Sequence, residues 1–382
     1  MLAFAPVGKV IVALIWAFWM MSVDSSLGKG HNDIEDKVKK IIRVTDDDTI
    51  PEYHPTYGST VQRVKEEGTV RCGTKLDFAG FSEKYWDDET GLDWHGFDVD
   101  ICRAVAAAVF GDYDSVDFVE VDGKTRFEYL INGEIDMLSA ATTYTFTRNV
   151  LKKLEFLPTT YYDGQGFITK KTLGVSSAKQ MEGARVCMSS TGTAKKNIED
   201  FFKKHFIQYK PVVVPVGQKS KDWYLEGRCD MYGTDRSGLA SNRTTFKDAE
   251  WHIILPEIIS KEPLGPVVKY GDQQWSDIVR WSVYVLFIAE EMGINSENID
   301  RFENNNDPAI KRFMGELNGK DHPHLGDKLG LSSYWAYDII KQVGNYKEIY
   351  ERNLGPKSKL KLDRGLNKLY TEGGLLYAPP LR

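Results

Sequence analysis

The sequence predicts an α/β protein built from two series of alternating strands and helices. The first series follows Gly68, and a second begins after Pro158, where the alternation restarts. The predicted strands are short apolar segments at residues 69–72, 116–121, 134–139, 165–170, 184–188, 211–216 and 229–232. Strands that alternate with helices in this way indicate βαβ units and a mainly parallel sheet. Residues 133–137 and 227–231 resemble one another, which favours two similar lobes, although helix-to-strand turns often share this pattern.

Length and composition narrow the class of protein. The chain has 382 residues, of which 42% are hydrophobic and 27% charged, so it can bury the cores of two domains. Its formal net charge of −6 argues against sequence-independent binding of nucleic acid, which requires a basic face. Only one long apolar run is present, and this excludes a polytopic membrane protein.

That apolar run lies at residues 10–23 and contains a single polar member, Ser22. It is shorter than the ~20 apolar residues that span a bilayer, and Lys9 precedes it. The pattern predicts a signal peptide at residues 1–25, with cleavage after Ser25 and export to the periplasm. The alternative is an uncleaved N-terminal membrane anchor. Residues 26–59 are polar and irregular, which is typical of an arm or linker.

No local catalytic or metal-binding motif is present. The sequence lacks the GxSxG, HExxH, Walker A and GxGxxG patterns, and its seven histidines do not show metal-ligand spacing. We therefore expect no metal and no cofactor. The four cysteines, which also lack zinc-site spacing, are Cys72, Cys102, Cys187 and Cys229. In an oxidising compartment they allow three disulfide connectivities, and otherwise they are small buried hydrophobes.

Two polar segments follow predicted strands and have the composition of binding loops. Residues 142–148 and 189–193 are rich in hydroxyl side chains, and the first ends in Arg148. Hydroxyls and free N–H groups at the start of a helix suit an anion, and an arginine pairs well with a carboxylate. Ordinary helix N-capping explains either segment taken alone. Because each follows the carboxyl end of a predicted parallel strand, together they favour a ligand site.

The segment GFDVDI at residues 96–101, followed by Val105, Ala106 and Val109, matches a known signature. It resembles that of bacterial extracellular solute-binding proteins for polar amino acids. Further segments resemble the general L-amino-acid-binding periplasmic proteins of ABC importers: YYDGQGF at 161–167, ISKEPLGP at 259–266, QWSDIVRW at 274–281 and the terminal YAPPLR. The resemblance extends over residues 60–382. We expect the aspartates of the signature to form a largely solvated helix start.

This resemblance implies a type II periplasmic-binding-protein fold, in which two α/β lobes are joined by two crossing hinge strands and the ligand lies in the cleft between them. Lobe 1 is then expected at residues 60–161, with a return to it and C-terminal helices at 262–382. Lobe 2 is expected at residues 165–256. The crossings are expected near residues 162–164 and 257–261.

The resemblance also implies a set of ligand-binding residues. By similarity, Arg148 pairs with the α-carboxylate of an amino acid, and Asp235 binds its α-ammonium. The other implied positions are the hydroxyl residues Thr143, Thr191 and Thr193, the aromatic pair Phe78 and Phe81, and Lys75. The chain departs from its relatives at Ala140-Ala141 and Ala194-Lys195, so the implied side-chain pocket differs from theirs.

Lys75 bears on the identity of the ligand. Relatives that bind basic amino acids carry an acidic residue where this chain has Lys75, so glutamate, glutamine, aspartate or asparagine is favoured over lysine or arginine. Two alternatives oppose this inference: Lys75 points to solvent, as most lysines do, or Asp77 neutralises it.

Within the implied lobes, the order of strands can bring Cys187 and Cys229 together, and we predict a disulfide between them. Cys72 and Cys102 are the candidates in lobe 1, although a strand-to-helix pair meets the Cα distance requirement less reliably.

The function implied is that of a monomeric, non-enzymatic receptor that delivers polar or general L-amino acids to the membrane permease of an ABC transporter. The alternative is a cyclohexadienyl dehydratase-like lyase on the same fold. Such a lyase requires a positioned acid in the cleft besides Asp235, and the sequence offers no evident candidate.

Overall fold

The computed structural model describes residues 59–76, 78–87, 91–316 and 325–382, all of which belong to the unit formed by residues 55–382. The predicted signal peptide and nearly all of the predicted arm lie outside the described residues. Within the described ranges, no helix is both long enough and apolar enough to cross a membrane.

The strands are named in chain order. They are β1 (Val70–Thr74), β2 (Glu83–Asp87), β3 (Gly91–His95), β4 (Val116–Glu120), β5 (Met137–Leu138), β6 (Leu154–Phe156), β7 (Tyr161–Asp163), β8 (Gln165–Lys170), β9 (Arg185–Ser189), β10 (Lys210–Val214), β11 (Met231–Asp235), β12 (His252–Ile254), β13 (Glu262–Leu264) and β14 (Val267–Lys269).

The α-helices follow the same order. They are α1 (Ser59–Glu67), α2 (Phe97–Phe110), α3 (Thr125–Asn132), α4 (Ala194–Lys204), α5 (Ser220–Leu225), α6 (Arg236–Thr244), α7 (Gln273–Glu291), α8 (Pro308–Phe313), α9 (Leu325–Leu329), α10 (Trp335–Val343) and α11 (Tyr346–Asn353). A single π-helical turn, Thr147–Leu151, follows β5.

Two mixed sheets organise these elements. The first has the order β4-β1-β5-β14-β6 and the second the order β10-β9-β11-β8-β12. We refer to the parts of the molecule built on these sheets as lobe 1 and lobe 2. In each sheet the βαβ strands are parallel, as predicted, whereas β14 and β8 run antiparallel to their neighbours. The antiparallel strands enter their lobes from the crossing segments, so they start at the edge where the parallel strands end.

Two short strands connect the lobes. Strand β7 leads from lobe 1 to lobe 2, β13 leads back, and the two pair antiparallel with Asp163 opposite Glu262. Strand β7 overlaps the predicted first crossing at residues 162–164. The second paired strand begins at Glu262, immediately beyond the predicted segment at 257–261, because Ile259 instead donates its N–H to the Gln165 carbonyl of β8.

The C-terminal helices pack on lobe 1. Helices α7, α10 and α11 pack against α2 in the large apolar cluster that also includes residues of β1. The signature aspartates at the start of α2 are buried, so the expectation that they are largely solvated is wrong. Asp100 is 6% exposed, and its carboxylate accepts hydrogen bonds from Arg352 and Asn353 of α11. The carboxylate therefore ties the first lobe-1 helix to the returning C-terminal part of the chain.

Both disulfides form within a lobe. Cys187 of β9 is bonded to Cys229, with a Cα–Cα distance of 5.7 Å, which confirms the predicted pair. Cys72 of β1 is bonded to Cys102 of α2, with a Cα–Cα distance of 6.2 Å. Each bond joins a strand of a sheet to another segment of the same lobe, so the cross-links brace the lobes separately and do not involve the crossing strands.

Candidate functional site

The candidate site lies where the carboxyl ends of the parallel strands of both lobes meet the crossing strands. Strands β1, β5, β9 and β11 all end at this place. Strand β8 begins there, since its first residue, Gln165, pairs with Asp235 at the end of β11. In open α/β sheets this edge is the usual place for a ligand, because the strand ends and helix starts leave polar backbone groups directed outward. The structure therefore brings most of the predicted site residues to one region between the lobes.

Arg148 lies in the π-helical turn after β5 and is 7% exposed. Its Nη1 donates a hydrogen bond of 2.6 Å to the Thr143 carbonyl, and its guanidinium lies 5.3 Å from the centre of the Phe127 ring. Burial lowers the pKa of Arg148, and the nearby carboxylates of Glu262 and Asp235 oppose that shift. The predicted partner Thr143 thus holds the arginine through its backbone, and the guanidinium faces acidic groups outside its own lobe.

Asp235 ends β11 on the opposite side of the site. Gln165 Nε2 donates to its Oδ1 at 3.2 Å. Burial raises the pKa of Asp235 to about 7, with further contributions from the carboxylates of Asp163 and Glu262, whereas the Lys75 ammonium acts in the opposite direction. A carboxylate with so high a pKa lacks a full complement of positive partners, and a bound cation would stabilise its ionised form.

Thr193 precedes α4, and its hydroxyl is already engaged within the protein. It accepts a hydrogen bond from Gln165 Nε2 at 2.7 Å and donates to Glu262 Oε2 at 3.1 Å. Asn197 and Ser260 donate to the other oxygen of Glu262 at 2.9 and 2.7 Å. The loop after β9 is therefore fixed to the returning crossing strand, and in this arrangement the Thr193 side chain positions that loop.

Thr191 lies at the rim of the site. Its hydroxyl is 3.2 Å from Ser189 Oγ, which also accepts a hydrogen bond of 3.2 Å from the Thr191 N–H. The side chain faces Gly123 of lobe 1. Thr191 thus contacts the opposite lobe.

The two phenylalanines of the first loop have different positions. Phe78 and Phe81 stack with ring centres 4.5 Å apart. Phe81 is 1% exposed and packs edge-on against Phe97 and Tyr161, so it belongs to the core behind the site. Phe78 is only partly buried and presents its other side toward lobe 2.

Lys75 follows β1 and lies among the charged groups of the site. Its Nζ is 5.2 Å from the centre of the Phe78 ring. Burial and the neighbouring Arg126 lower the pKa of Lys75 to about 8, and Asp235 of lobe 2 opposes this shift. These surroundings favour an orientation of Lys75 toward the cleft over one toward solvent. Asp77, the other group considered as its partner, lies outside the described residues.

Arg126 is a site residue that the sequence reasoning missed. It lies in the first turn of α3, is 5% exposed, and its Nη1 is 3.4 Å from Thr142 Oγ1. Its buried Nε has no hydrogen-bond partner among the described residues. Burial and Arg148 lower the pKa of Arg126 to about 9, with Asp235 opposing the shift. An arginine whose guanidinium is buried with so few partners is suited to an anionic ligand.

Glu262 and Asp163 were also missed, because they lie on the crossing strands, which carry no motif of their own. Glu262 is buried and Asp163 is half-buried, and Asp163 accepts hydrogen bonds from the N–H groups of Gly164 and Ser237. Burial raises the pKa of Asp163 to about 6. The site therefore combines three lobe-1 cations with acidic groups on lobe 2 and on the crossing strands.

Asp98, the first aspartate of the signature, supports the binding loop. Its carboxylate accepts hydrogen bonds from Ala141 N at 2.8 Å and Ser139 Oγ at 3.1 Å. Ala141 has a φ of 45°, which is uncommon for a residue other than glycine. Asp98 is thus a positioning residue that holds the turn between β5 and the segment that carries Arg148.

The chain belongs to the bacterial extracellular solute-binding proteins, family 3, whose sequence profile matches residues 70–356. It is 49% identical over 324 residues to the general L-amino acid-binding periplasmic protein AapJ of Rhizobium johnstonii, an alignment that covers 85% of this chain and 93% of that protein. It is 45% identical over 325 residues to the glutamate/glutamine/aspartate/asparagine-binding protein BztA of Rhodobacter capsulatus, covering 85% and 94%.

A solved relative has the same fold. The ABC transporter periplasmic binding protein from Brucella ovis, with glutathione bound, aligns with a TM-score of 0.81 and 41% identity over 85% of this chain and all of that one. The type II periplasmic-binding-protein fold is therefore established for this chain, and its curated relatives are amino-acid-binding proteins of periplasmic or ABC-transport function.

We predict that Asp235→Asn changes the pH dependence of stability in the ligand-free protein. The folded pKa of about 7 lies above the unfolded value of ~3.9, so the native state gains from the bound proton at low pH and loses that gain as the pH rises through 7. Asparagine does not titrate, so the Asp235→Asn variant does not lose stability in this way as the pH rises. Relative to wild type, its free energy of unfolding should increase by on the order of 2 kcal/mol between pH 5 and pH 8.

Urea unfolding at both pH values measures this change, and Asp117→Asn, which removes an exposed carboxylate on β4, is the matched control. A pH profile of Asp235→Asn that runs parallel to wild type would show that Asp235 is not held in an unfavourable ionised state.

Proposed function

We propose that the chain is a non-catalytic periplasmic receptor that binds free L-amino acids between its lobes and delivers them to the permease of an ABC transporter. The observation that carries the proposal is the opposition of Arg148 on lobe 1 and Asp235 on lobe 2, where the Asp235 carboxylate favours the charged form of Arg148. Close relatives with amino-acid-binding names support it. The signal peptide at 1–25, the monomeric state and the lobe boundaries at 60–161, 165–256 and 262–382 are part of this proposal.

A zwitterionic amino acid fits this opposition. Its α-carboxylate would pair with the Arg148 guanidinium, and its α-ammonium with Asp235, so that each buried charge gains a partner of opposite sign. The Thr143 carbonyl and the Gln165 amide already orient the two protein groups. Because the groups lie on different lobes, one ligand bridges the cleft and stabilises the arrangement in which the lobes are together.

The remaining cations favour a second carboxylate on the ligand. Lys75 and Arg126 lie near Arg148, and both pKa values are lowered by burial and by neighbouring positive charge. A ligand side chain that carries a carboxylate would relieve this repulsion, whereas a basic side chain would increase it. We therefore propose a preference for glutamate and aspartate, with glutamine and asparagine next. The named ligands of BztA and the dicarboxylic glutathione in the Brucella ovis structure are in line with this preference.

The lyase alternative is not favoured. Glu262 is an acid in the cleft that the sequence reasoning did not find, and it stands near Arg148 and Asp235. Its carboxylate, however, accepts hydrogen bonds from three side-chain donors, Thr193, Asn197 and Ser260. A carboxylate occupied by three donors of the protein has a structural role and is poorly placed to protonate a leaving group.

We expect Arg148→Ala to weaken glutamate binding by roughly 2–5 kcal/mol, the range for truncating one partner of a buried charge pair. Isothermal titration calorimetry with glutamate measures the loss. Lys152→Ala removes an exposed positive charge four residues later and should leave the affinity unchanged. If folded Arg148→Ala binds glutamate as tightly as wild type, the carboxylate site has been assigned wrongly.

We expect Arg126→Met to reduce glutamate affinity by roughly tenfold or more and glutamine affinity much less, because a hydrogen-bonded charge contributes about 1.5–3 kcal/mol only where the ligand supplies the opposite charge. Glutamate, glutamine, arginine and glutathione are titrated in parallel against both proteins. Lys124→Met, an exposed charge at the start of the same helix, is the control. Equal losses for glutamate and glutamine would contradict the second-carboxylate proposal.

A further inference from the structure

At the rim of the site, a glycine of one lobe meets a side chain of the other. Gly123 lies between β4 and α3 of lobe 1 and faces Thr191, which follows β9 of lobe 2. A Cβ atom placed on Gly123 would overlap Thr191 Oγ1 and would lie 3.2 Å from Thr191 Cβ. We call this pair the rim contact. At this contact Thr191 lies so close to the backbone of Gly123 that a side chain at position 123 would not fit.

Neither partner of the rim contact can easily move aside. Thr191 is short and is held at both its hydroxyl and its N–H by Ser189. The loop that contains Gly123 is fixed by Asp122, whose Oδ1 accepts hydrogen bonds from the N–H groups of Lys124 and Thr125 at 2.7 and 2.8 Å. A methyl group at position 123 would therefore push the two lobes apart at this contact.

A second contact between the lobes provides a comparison. Gly238 of α6 in lobe 2 faces Phe78 of lobe 1, and a Cβ on Gly238 would lie 3.8 Å from Cε2 and 4.0 Å from Cζ of that ring. Its nearest neighbour would be Thr234 Cγ2 at 3.4 Å. These are ordinary van der Waals distances, so this contact has room for a methyl group where the rim contact has none.

We propose that the rim contact sets how far the lobes close and thereby determines how long the ligand is retained. The inference rests on the proposed function, since it concerns closure around the same ligand. Gly123 lies on the loop that leads directly into the first turn of α3, where Arg126 faces the site. Full closure at the rim therefore brings Arg126 to its ligand-binding position, and incomplete closure withdraws it. Gly123 and Thr191 act as positioning residues through this geometry.

The test is the dissociation rate of glutamate, measured by stopped-flow fluorescence with the full exported chain. Gly123 does not have a positive φ, so Gly123→Ala introduces a methyl group without backbone strain. We expect this variant to release glutamate roughly tenfold faster or more, since changes at an interface act mainly on dissociation. Gly238→Ala adds the same methyl group at the other contact and should change the rate by less than about twofold.

A double-mutant cycle assigns the effect to the rim contact. Thr191→Ala removes Oγ1, the atom that a methyl group at position 123 would overlap, and keeps only the looser contact of 3.2 Å with Cβ, so Gly123→Ala should have a much smaller effect in the Thr191→Ala background. Equal effects of Gly123→Ala in the wild-type and Thr191→Ala backgrounds would overturn the proposal. So would an unchanged dissociation rate in Gly123→Ala.

Spin labels report closure directly. All four native cysteines are in disulfides, so labels on Glu128→Cys in lobe 1 and Lys196→Cys in lobe 2 are specific. In saturating glutamate, the distance between labels should be longer in Gly123→Ala and should move back toward the wild-type value when Thr191→Ala is added. A distance unchanged by Gly123→Ala would contradict the proposal. If no amino acid binds the wild-type protein, the proposed function fails, whereas normal binding with no effect of Gly123→Ala refutes only the rim contact.

Discussion

Charged groups that are buried or half-buried on opposite sides of the cleft are the constraint on which the rest of the molecule depends. Lys75, Arg126 and Arg148 converge from lobe 1, and their pKa values are all lowered, mainly by burial. Asp235 faces them from lobe 2 with its pKa raised to about 7. Each group is thus shifted toward its neutral form. Burial of charge is unfavourable without a partner, so the arrangement is stable when a ligand supplies the missing opposite charges.

The framework around these charges is satisfied within the protein. Asp98 holds the turn that precedes Arg148, and Glu262 fixes the loop after β9 through Thr193. Asp100 is bound by residues of α11. These carboxylates each accept hydrogen bonds from the protein, whereas Arg126 retains a buried nitrogen without a partner among the described residues. Arg126 is one of several buried side chains that have such an atom, and it is the one that also lies beside Arg148 and opposite Asp235, as expected for a site that binds by charge.

Much of the fold follows from local patterns in the sequence. The alternation of strands and helices, the restart after Pro158 and the pairing of Cys187 with Cys229 all reflect short-range periodicity and the order of βαβ units. Arg148 could be singled out because it closes a hydroxyl-rich segment after a predicted strand. The antiparallel direction of β8 and β14 could not be predicted from such patterns, since it depends on the side from which the chain enters each lobe.

The missed site residues share one property: their role arises from contacts between segments distant in the sequence. Arg126 is an ordinary arginine in the first turn of an amphipathic helix until folding brings it beside Arg148. Glu262 acquires its partners only when the chain returns from lobe 2. The aspartates at the start of α2 have the composition of a solvated helix start and are buried because the C-terminal helices and the turn at Ala141 cover them. The local composition of a segment does not indicate whether distant parts of the chain will bury it.

The crystal structure of the complex with L-glutamate tests the central claim most directly. The opposition of charges predicts the α-carboxylate on the Arg148 guanidinium, the α-ammonium within hydrogen-bonding distance of Asp235, and the side-chain carboxylate directed toward Arg126 and Lys75. Glutamate bound outside this cleft, or bound in the cleft with its α-carboxylate away from Arg148 and its ammonium away from Asp235, would contradict it.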